Sequence, residues 1–428
     1  MIVNPRVPLH RLVLSLSEAL DHVHPEITQH QQRVAYIATK MARQMGIGQP
    51  DLVDVFLAAV IHDIGLIGPR NRIRALHLGQ LEAVAWHSEV GCLLLKDNPL
   101  FARAAEIVRF HHVAWNGGRG SECNGCPVPL ASFIVGLADT VEVALKRREP
   151  VLEQADRVRH LIQSRKDRQF PPDCVEAFLD VSTPEAFWLD IISDQIYGIL
   201  LTQIDWPTIE IDAEAFIPIA EIFARLVDAS SHWTAVHTAG VAAVAVALAE
   251  RLGFSRREQC LMRTAGYLHD LGKLAIPTEI LDKPGRLTEQ ERLMIRTHTY
   301  HTFRILDTIG GMRQINEWAS FHHERLDGKG YPFRHRGEDL TLGSRIMAVA
   351  DVCSALSEER PYHEGMPQEK ALGILDDLVK DGALDGDVVG VLRRDYDAID
   401  HIRRQEQEEY HRKQQSLFSL VDRHEGSM

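Results

Sequence analysis

The sequence predicts a mainly α protein built as a tandem duplication of one all-helical domain, and three observations predict it. Strand signals are sparse, because alternation of apolar and polar residues seldom persists anywhere along the chain. Apolar residues recur instead at helical spacing, in runs closed by glycine, as at Gly46 and Gly253. Third, a set of polar residues occurs twice in the same order. VFLAAVIHDIG (Val55 to Gly65) is answered by MRTAGYLHDLG (Met262 to Gly272), with His62-Asp63 lying 207 residues before His269-Asp270. The same offset carries His30 onto His237 and Gly46 onto Gly253. His87 pairs with His298 and His111-His112 with His322-His323 at an offset of 211, and Asp139 pairs with Asp351 at 212. Polar positions that keep their order while the apolar fillers vary mark a duplicated domain.

Taken in order, a first domain over residues 1–148 has a helix from about His30 to Met45, stopped by Gly46. A second helix, Asp51 to Ile61, delivers His62-Asp63, and His87 heads a helix after a basic loop. A further helix delivers His111-His112, the loop Trp115 to Pro129 holds Cys123 and Cys126, and a helix from Leu130 to Lys146 carries Asp139. Residues 149–210, with Pro171-Pro172, Pro184 and Pro207, read as a helical connector. A second domain spans 211–400 and opens with a long helix, Trp233 to Leu252, ended by Gly253. Residues 401–428 read as a charged tail, a solvated helix that frays. Within the second domain, His322-His323 end an amphipathic run and are followed by ERLDGKGYP. Neighbouring side chains on a helix point about 100° apart, so two adjacent imidazoles suit convergence from a helix end onto one ion. The loop glycines let the backbone come close to a ligand, and Pro332 fixes where it stops.

Composition bounds the function. At 428 residues the chain exceeds one ordinary core. A formal charge of −13 disfavours a nucleic-acid polymer, which needs a basic face. No segment reaches the roughly 20 apolar residues of a membrane span, and the N-terminus lacks a signal-peptide pattern. Six cysteines in so long a chain do not make a disulfide framework, so the expected compartment is the cytoplasm. The 22 histidines are the oddity.

Each copy supplies five recurring imidazoles and two aspartates, without thiolates. That donor set suits divalent first-row metals such as Fe, Mn, Co or Zn. The aspartate of each His-Asp pair is the natural bridge, having two oxygens for two ions. Two ions a few ångströms apart would hold a hydroxide and clamp the attacking and leaving oxygens of a phosphoryl displacement. No convincing Ser or Cys triad competes.

HDLGK (His269 to Lys273), KPGRLT (Lys283 to Thr288), HHERLDGKGYP (His322 to Pro332), ADVCSAL (Ala350 to Leu356) and ERPY (Glu359 to Tyr362) together resemble the HD-GYP subfamily of the HD superfamily. The first copy is similar to the broader HD family at its ligand positions only. The resemblance implies an HD-type phosphohydrolase fold and cyclic-dinucleotide phosphodiesterase activity. It also implies metal ligands His237, His269, Asp270, His298, His322, His323 and Asp351, with Asp270 bridging. Lys273 would contact the scissile phosphate or help its departing oxygen, as a point charge suited to phosphate. Tyr331 and Arg360 would hold the substrate, with Arg345 as a further contact, and His363 stands where the family often has a lysine. Some members bind a third metal through a glutamate one turn before the first histidine. Trp233 stands there in the second copy, which therefore takes two ions, iron or manganese. Glu26 stands four residues before His30, so the first copy takes two or three, with ligands Glu26, His30, His62, Asp63, His87, His111, His112 and Asp139.

The first copy departs from the family elsewhere. Leu66 replaces the lysine of the HDxGK motif, and Asn116 to Ser121 stand where the second copy has DGKGYP. Its metals can be intact while its substrate contacts are not, which suits another specificity or a ligand-gated regulatory domain. Arg70, Arg72, Arg74 and Arg119 read as a solvated loop, and the single CxxC (Cys123, Cys126) as a turn. The expected reaction is hydrolysis of cyclic di-GMP to linear pGpG or GMP. The alternatives are cyclic GMP-AMP or another nucleotide, a nucleotide sensor with little turnover, and oxygen chemistry at two irons. The input signal is left open, with the first copy the candidate for receiving it, and a homodimer or a signalling-protein partner is left open as well.

Overall fold

In a computed structural model of the chain, residues 8–21, 29–66, 86–203, 212–229, 236–358 and 365–425 are described. They are almost wholly helical and fall into two compact units, one built around His10–Thr208 and the other around Ile209–Ser419. Among the described residues no helix is long and apolar enough to cross a membrane.

After α1 (Leu9–Asp21), the first unit runs α2 (His30–Gln44), α3 (Asp51–Ile61), α4 (Trp86–Leu95) and α5 (Ala102–Arg109). A hairpin of β1 (Glu122–Cys123) and β2 (Cys126–Pro127) precedes α6 (Leu130–Val143). Gly46 ends α2 at φ 75, a left-handed conformation that glycine reaches without strain. The core is the packing of α2 on α3 and α6, through Val34, Ile37, Phe56, Val60 and Leu137.

The expectation of a connector over 149–210 gives way here. Its described part forms α7 (Val151–Ser164), α8 (Pro172–Val181), α9 (Glu185–Ile191) and α10 (Ile196–Gln203), and α8 and α10 pack on α2. Phe187 and Trp188 are buried, and Tyr36 donates to Asp190 at 2.7 Å. The prolines that suggested a linker start helices instead: Pro172 opens α8 and Pro184 precedes α9.

The second unit runs α11 (Ala213–Ala229), α12 (His237–Arg251), α13 (Arg256–Leu268), a 3₁₀ turn (Leu271–Ala275), α14 (Thr278–Leu281), α15 (Glu289–Ile309) and α16 (Arg313–Ser320). It continues through α17 (Leu342–Ser357), α18 (Gln368–Lys380), α19 (Gly386–Arg394) and α20 (Tyr396–Glu425). Capping boxes start α13 (Ser255, Glu258) and α15 (Thr288, Glu291). The alanine-rich α12 lies so close to α13 that a Cβ at Gly266 would come within 2.5 Å of Ala242 Cα.

The tail corrects a second expectation. Arg403, Gln407, Tyr410 and Gln414, spaced four, three and four, form a buried face of α20 rather than a solvated helix. Gln414 donates to Arg225 O on α11 at 3.1 Å, and Gln407 to Val236 O at 3.1 Å.

Candidate metal centres

In the second unit the helices converge by their ends. His237 is the first residue of α12, His269-Asp270 follow α13, His298 lies within α15, His322-His323 follow α16, and Asp351 comes from α17. Donor atoms of His237, His269 and Asp351 lie within 4.8 Å of one another, as do those of His298, His322 and His323. Asp270 stands between the two sets. Its Oδ2 is 3.3 Å from His269 Nε2 and its Oδ1 is 3.4 Å from His298 Nε2.

The motif glycine makes this convergence feasible. A Cβ at Gly272 would lie 2.0 Å from His298 O, so only glycine lets α15 cross directly over the turn after Asp270. Gly65 makes the same approach to His87 O, also at 2.0 Å.

One hydrogen bond sets the tautomer of three of these histidines. Nδ1 of His269, His298 and His322 faces the carbonyl three residues earlier, at 2.7, 2.6 and 2.6 Å. A carbonyl only accepts, so each Nδ1 carries the proton and each Nε2 presents a lone pair to the cluster. His298 Nε2 and His322 Nε2 then face each other at 3.3 Å, and His269 Nε2 is buried without a hydrogen-bond partner. Burial pulls His298 down to about 3 and lowers His322 and His323, keeping these rings neutral. Burial alone would raise Asp270, but His269 and Lys273 hold its carboxyl well below the usual carboxylate range. Neutral imidazoles at His298 and His322, each with a bare Nε2 beside ionised Asp270, fit divalent cations.

The first unit repeats the arrangement. Asp63 Oδ2 is 3.4 Å from both His30 Nε2 and His62 Nε2, and its Oδ1 is 3.2 Å from His87 Nε2. His87 Nε2 lies 3.3 Å from Nε2 of both His111 and His112, and Asp139 Oδ1 is 3.5 Å from His30. Nδ1 of His62 and His111 again bond carbonyls three residues back, at 2.9 and 2.6 Å, and His62 Nε2 is left without a partner.

Around the second cluster, Lys273 places its ammonium 2.5 Å from Asp270 Oδ2. The GYP loop is a braced structure. Arg325 holds Asp327 through two hydrogen bonds at 3.0 and 2.8 Å, and buried Glu324 accepts from Phe333 N and Arg334 N. A Cβ at Gly330 would meet the Glu324 backbone at 2.5 Å, so this glycine serves an approach to the protein's own chain, not to a ligand. The result sets the Tyr331 ring 4.9 Å from that of His323. Burial, with Asp351 nearby, raises the Tyr331 phenol, which stays protonated.

Arg345 is held by the loop and by Asp385. Its guanidinium is engaged by Asp385 (3.0 Å), Leu340 O (3.0 Å) and Gly337 O (2.6 Å), so it braces the loop. Arg360, His363, Trp233, Glu26, Arg70, Arg72 and Arg74 lie outside the described residues. Arg119 donates to Asn116 O, and Cys123 faces Cys126 across an Asn124-Gly125 turn. Among the described residues neither cysteine joins a cluster of metal-type donors.

Sequence reasoning missed four residues. Arg296 lies 4.4 Å from the Tyr331 ring centre, beside the cluster. Glu324 holds the GYP loop. Glu358 and Glu142 face Nδ1 of His237 and His30, at 3.0 and 2.7 Å. Spacing held a signal for the last two, since Glu142 and Glu358 stand three and seven residues after Asp139 and Asp351, on the same helix face.

A family described as HD domain matches residues 27–157, and a second family with the same description matches 221–388, so the fold and its two clusters define a tandem HD-domain protein. Over 397 residues the chain is 32% identical to the 3′3′-cGAMP-specific phosphodiesterase 1 of Vibrio cholerae, covering 91% of this chain and 92% of that one. A cyclic di-GMP phosphodiesterase response regulator of Xanthomonas campestris is 38% identical over 156 residues, 36% of this chain and 41% of that one. The crystal structure of a cyclic GMP-AMP-specific phosphodiesterase of V. cholerae shares the fold, with a TM-score of 0.63 over 91% of this chain and 97% of that one at 24% identity. The chain belongs to the HD-GYP family of cyclic-dinucleotide phosphodiesterases, with an HD domain preceding the HD-GYP domain.

Proposed function

We propose that the second unit hydrolyses 3′3′-cyclic GMP-AMP, at a site where His237, His269, Asp270 and Asp351 hold one divalent ion and Asp270, His298, His322 and His323 a second. The observation that carries this reading is Asp270, whose two oxygens face two different histidine sets at 3.3 and 3.4 Å. Bound ions would supply Lewis-acid stabilisation of the phosphate and activation of water. Lys273 would place its ammonium against the scissile phosphate and the departing oxygen. Tyr331, protonated and next to Arg296, would donate to a phosphate oxygen or present its ring to a base.

The choice of substrate is supported by coverage. The V. cholerae relative named for 3′3′-cGAMP aligns along 91% of this chain, and the Xanthomonas relative named for cyclic di-GMP along 36%. Cyclic di-GMP is the second reading, supported by the Xanthomonas relative named for it, 38% identical over 156 residues. The first unit, with buried Leu66 in place of the lysine, would bind metal without hydrolysing the same substrate.

Incubation of the Mn- or Fe-loaded chain with each cyclic dinucleotide, followed by chromatography, tests the assignment. Turnover of cyclic GMP-AMP should exceed that of cyclic di-GMP, and His269→Ala with Asp270→Ala should abolish it. Unchanged turnover in that double variant would refute the site.

A further inference from the structure

Buried polar groups link the second cluster to a helix that lies beyond residue 388, where the HD-domain match ends. Glu358 offers both carboxylate oxygens to His237 Nδ1, at 3.1 and 3.0 Å. Gln407, on α20, donates through Nε2 to Glu358 Oε1 at 3.0 Å and to Val236 O at 3.1 Å. Arg403 donates to Gln407 Oε1 at 2.6 Å. Because a guanidinium only donates, it fixes which end of the Gln407 amide faces the glutamate. All three side chains are buried.

The duplication supplies an internal comparison. In the first unit Glu142 accepts from His30 Nδ1 at 2.7 Å and is matched by Arg33 and Arg147, at 3.5 and 3.0 Å. The offset that carries His30 onto His237 carries Arg33 onto Gly240. Where the first copy has a cation on the helix itself, the second has a glycine. A Cβ at Gly240 would lie 2.4 Å from Gln407 Nε2 and 3.3 Å from Glu358 Oε1, so the missing side chain is the space that Gln407 fills. The glutamate has moved too. Three residues after Asp351 stands Ser354, buried with an unpartnered Oγ, and the acid sits one turn later at 358.

We propose that Glu358, held by Gln407 and Arg403 of α20, is a positioning residue that fixes the His237 ring with Nε2 turned to the cluster, so that the C-terminal helix is a working part of the second metal centre. A glutamate drawing the Nδ1 proton makes Nε2 the donor to the metal and stiffens the ring. This rests on reading the cluster as a metal centre. Partners of this outer kind typically govern metal affinity about 10–100-fold.

The test uses the full chain with the first cluster disabled by His62→Ala and Asp63→Ala. Mn(II) affinity is measured by equilibrium dialysis, alongside kcat, KM and the melting temperature without metal. Glu358→Gln and Gln407→Leu should each weaken Mn(II) binding about 10-fold or more. Gly240→Ala should weaken it in the same direction, since its Cβ would displace the Gln407 amide and crowd Glu358 Oε1. Affinities within twofold of the parent in all three variants would overturn the positioning role and leave the metal centre standing. A parent that binds no Mn(II) would overturn the metal-centre reading and this proposal together.

Discussion

Lys273 shows what one side chain adds to a cluster that the duplication otherwise copies. Both units gather the same imidazoles and carboxylates, yet among the described residues only the second has an ammonium on its shared aspartate, at 2.5 Å. Buried Leu66 stands at the matching place. Lys273→Met should therefore lower kcat by about 100-fold while metal content, read by elemental analysis, stays unchanged. Lost metal would make the lysine structural instead. Arg345 is the opposite case. Its three hydrogen bonds to Asp385, Leu340 and Gly337 predict that Arg345→Gln speeds hydrogen exchange across residues 337–345 more than it raises KM. A rise in KM with unchanged exchange would restore it as a substrate contact.

At the scale of the element, the sequence showed where helices begin and which residues they deliver. It did not show why the HDxG motif needs its glycine. That reason is a crossing: α15 lies over Gly272, as α4 lies over Gly65, with a carbonyl 2.0 Å from where a Cβ would be. Gly272→Ala should cost about 1–3 kcal/mol by overpacking and release metal, because His298 sits on the displaced backbone. Unchanged melting temperature and metal content would contradict that crossing. The start of the same helix is set by Glu291, whose carboxylate accepts from Lys283 Nζ and Thr288 N while its own N–H donates to Thr288 Oγ1. Hydrogen bonds from Lys283 and the Thr288 backbone lower this carboxyl from the ordinary 4.5 to about 2. A depressed carboxylate contributes stability above its unfolded pKa and loses it as the pH falls, here between about 4.5 and 2. A carboxyl NMR titration should find the Glu291 midpoint near 2 and see it rise in Lys283→Met.

At the scale of the whole chain, the duplication extends further than its recurring histidines and aspartates. The first unit's loop is tied by Trp115 N, Asn116 N and Gly117 N to carbonyls of residues 167–169, in the turn after α7. The second unit's GYP loop is tied by Leu326 N and Asp327 N to Ala383 O and Gly382 O, in the turn after α18. The supposed connector is thus the first copy's version of α18 and α19. Its ligand-free polar surface hid this, since no recurring histidine marks it. If both clusters hold ions, chelation should lower the thermal stability of each unit, by about 2.7 kcal/mol relative to metal at 100 times Kd. Calorimetry of the holo and chelated chain should show it, and identical traces would argue against bound metal.

The helical class, the duplication and the identity of the recurring donors were legible in the chain alone, because imidazole and carboxylate positions tied to one geometry keep their spacing. Tertiary structure alone decided which oxygen of Asp270 faces which histidines, that Arg345 is a brace, and that Glu358 and Gln407 stand behind His237. Such contacts depend on how the helices meet, as where His237 meets Glu358, 121 positions later, or they bury polar faces such as that of α20, and neither follows the apolar periodicity from which a fold is read.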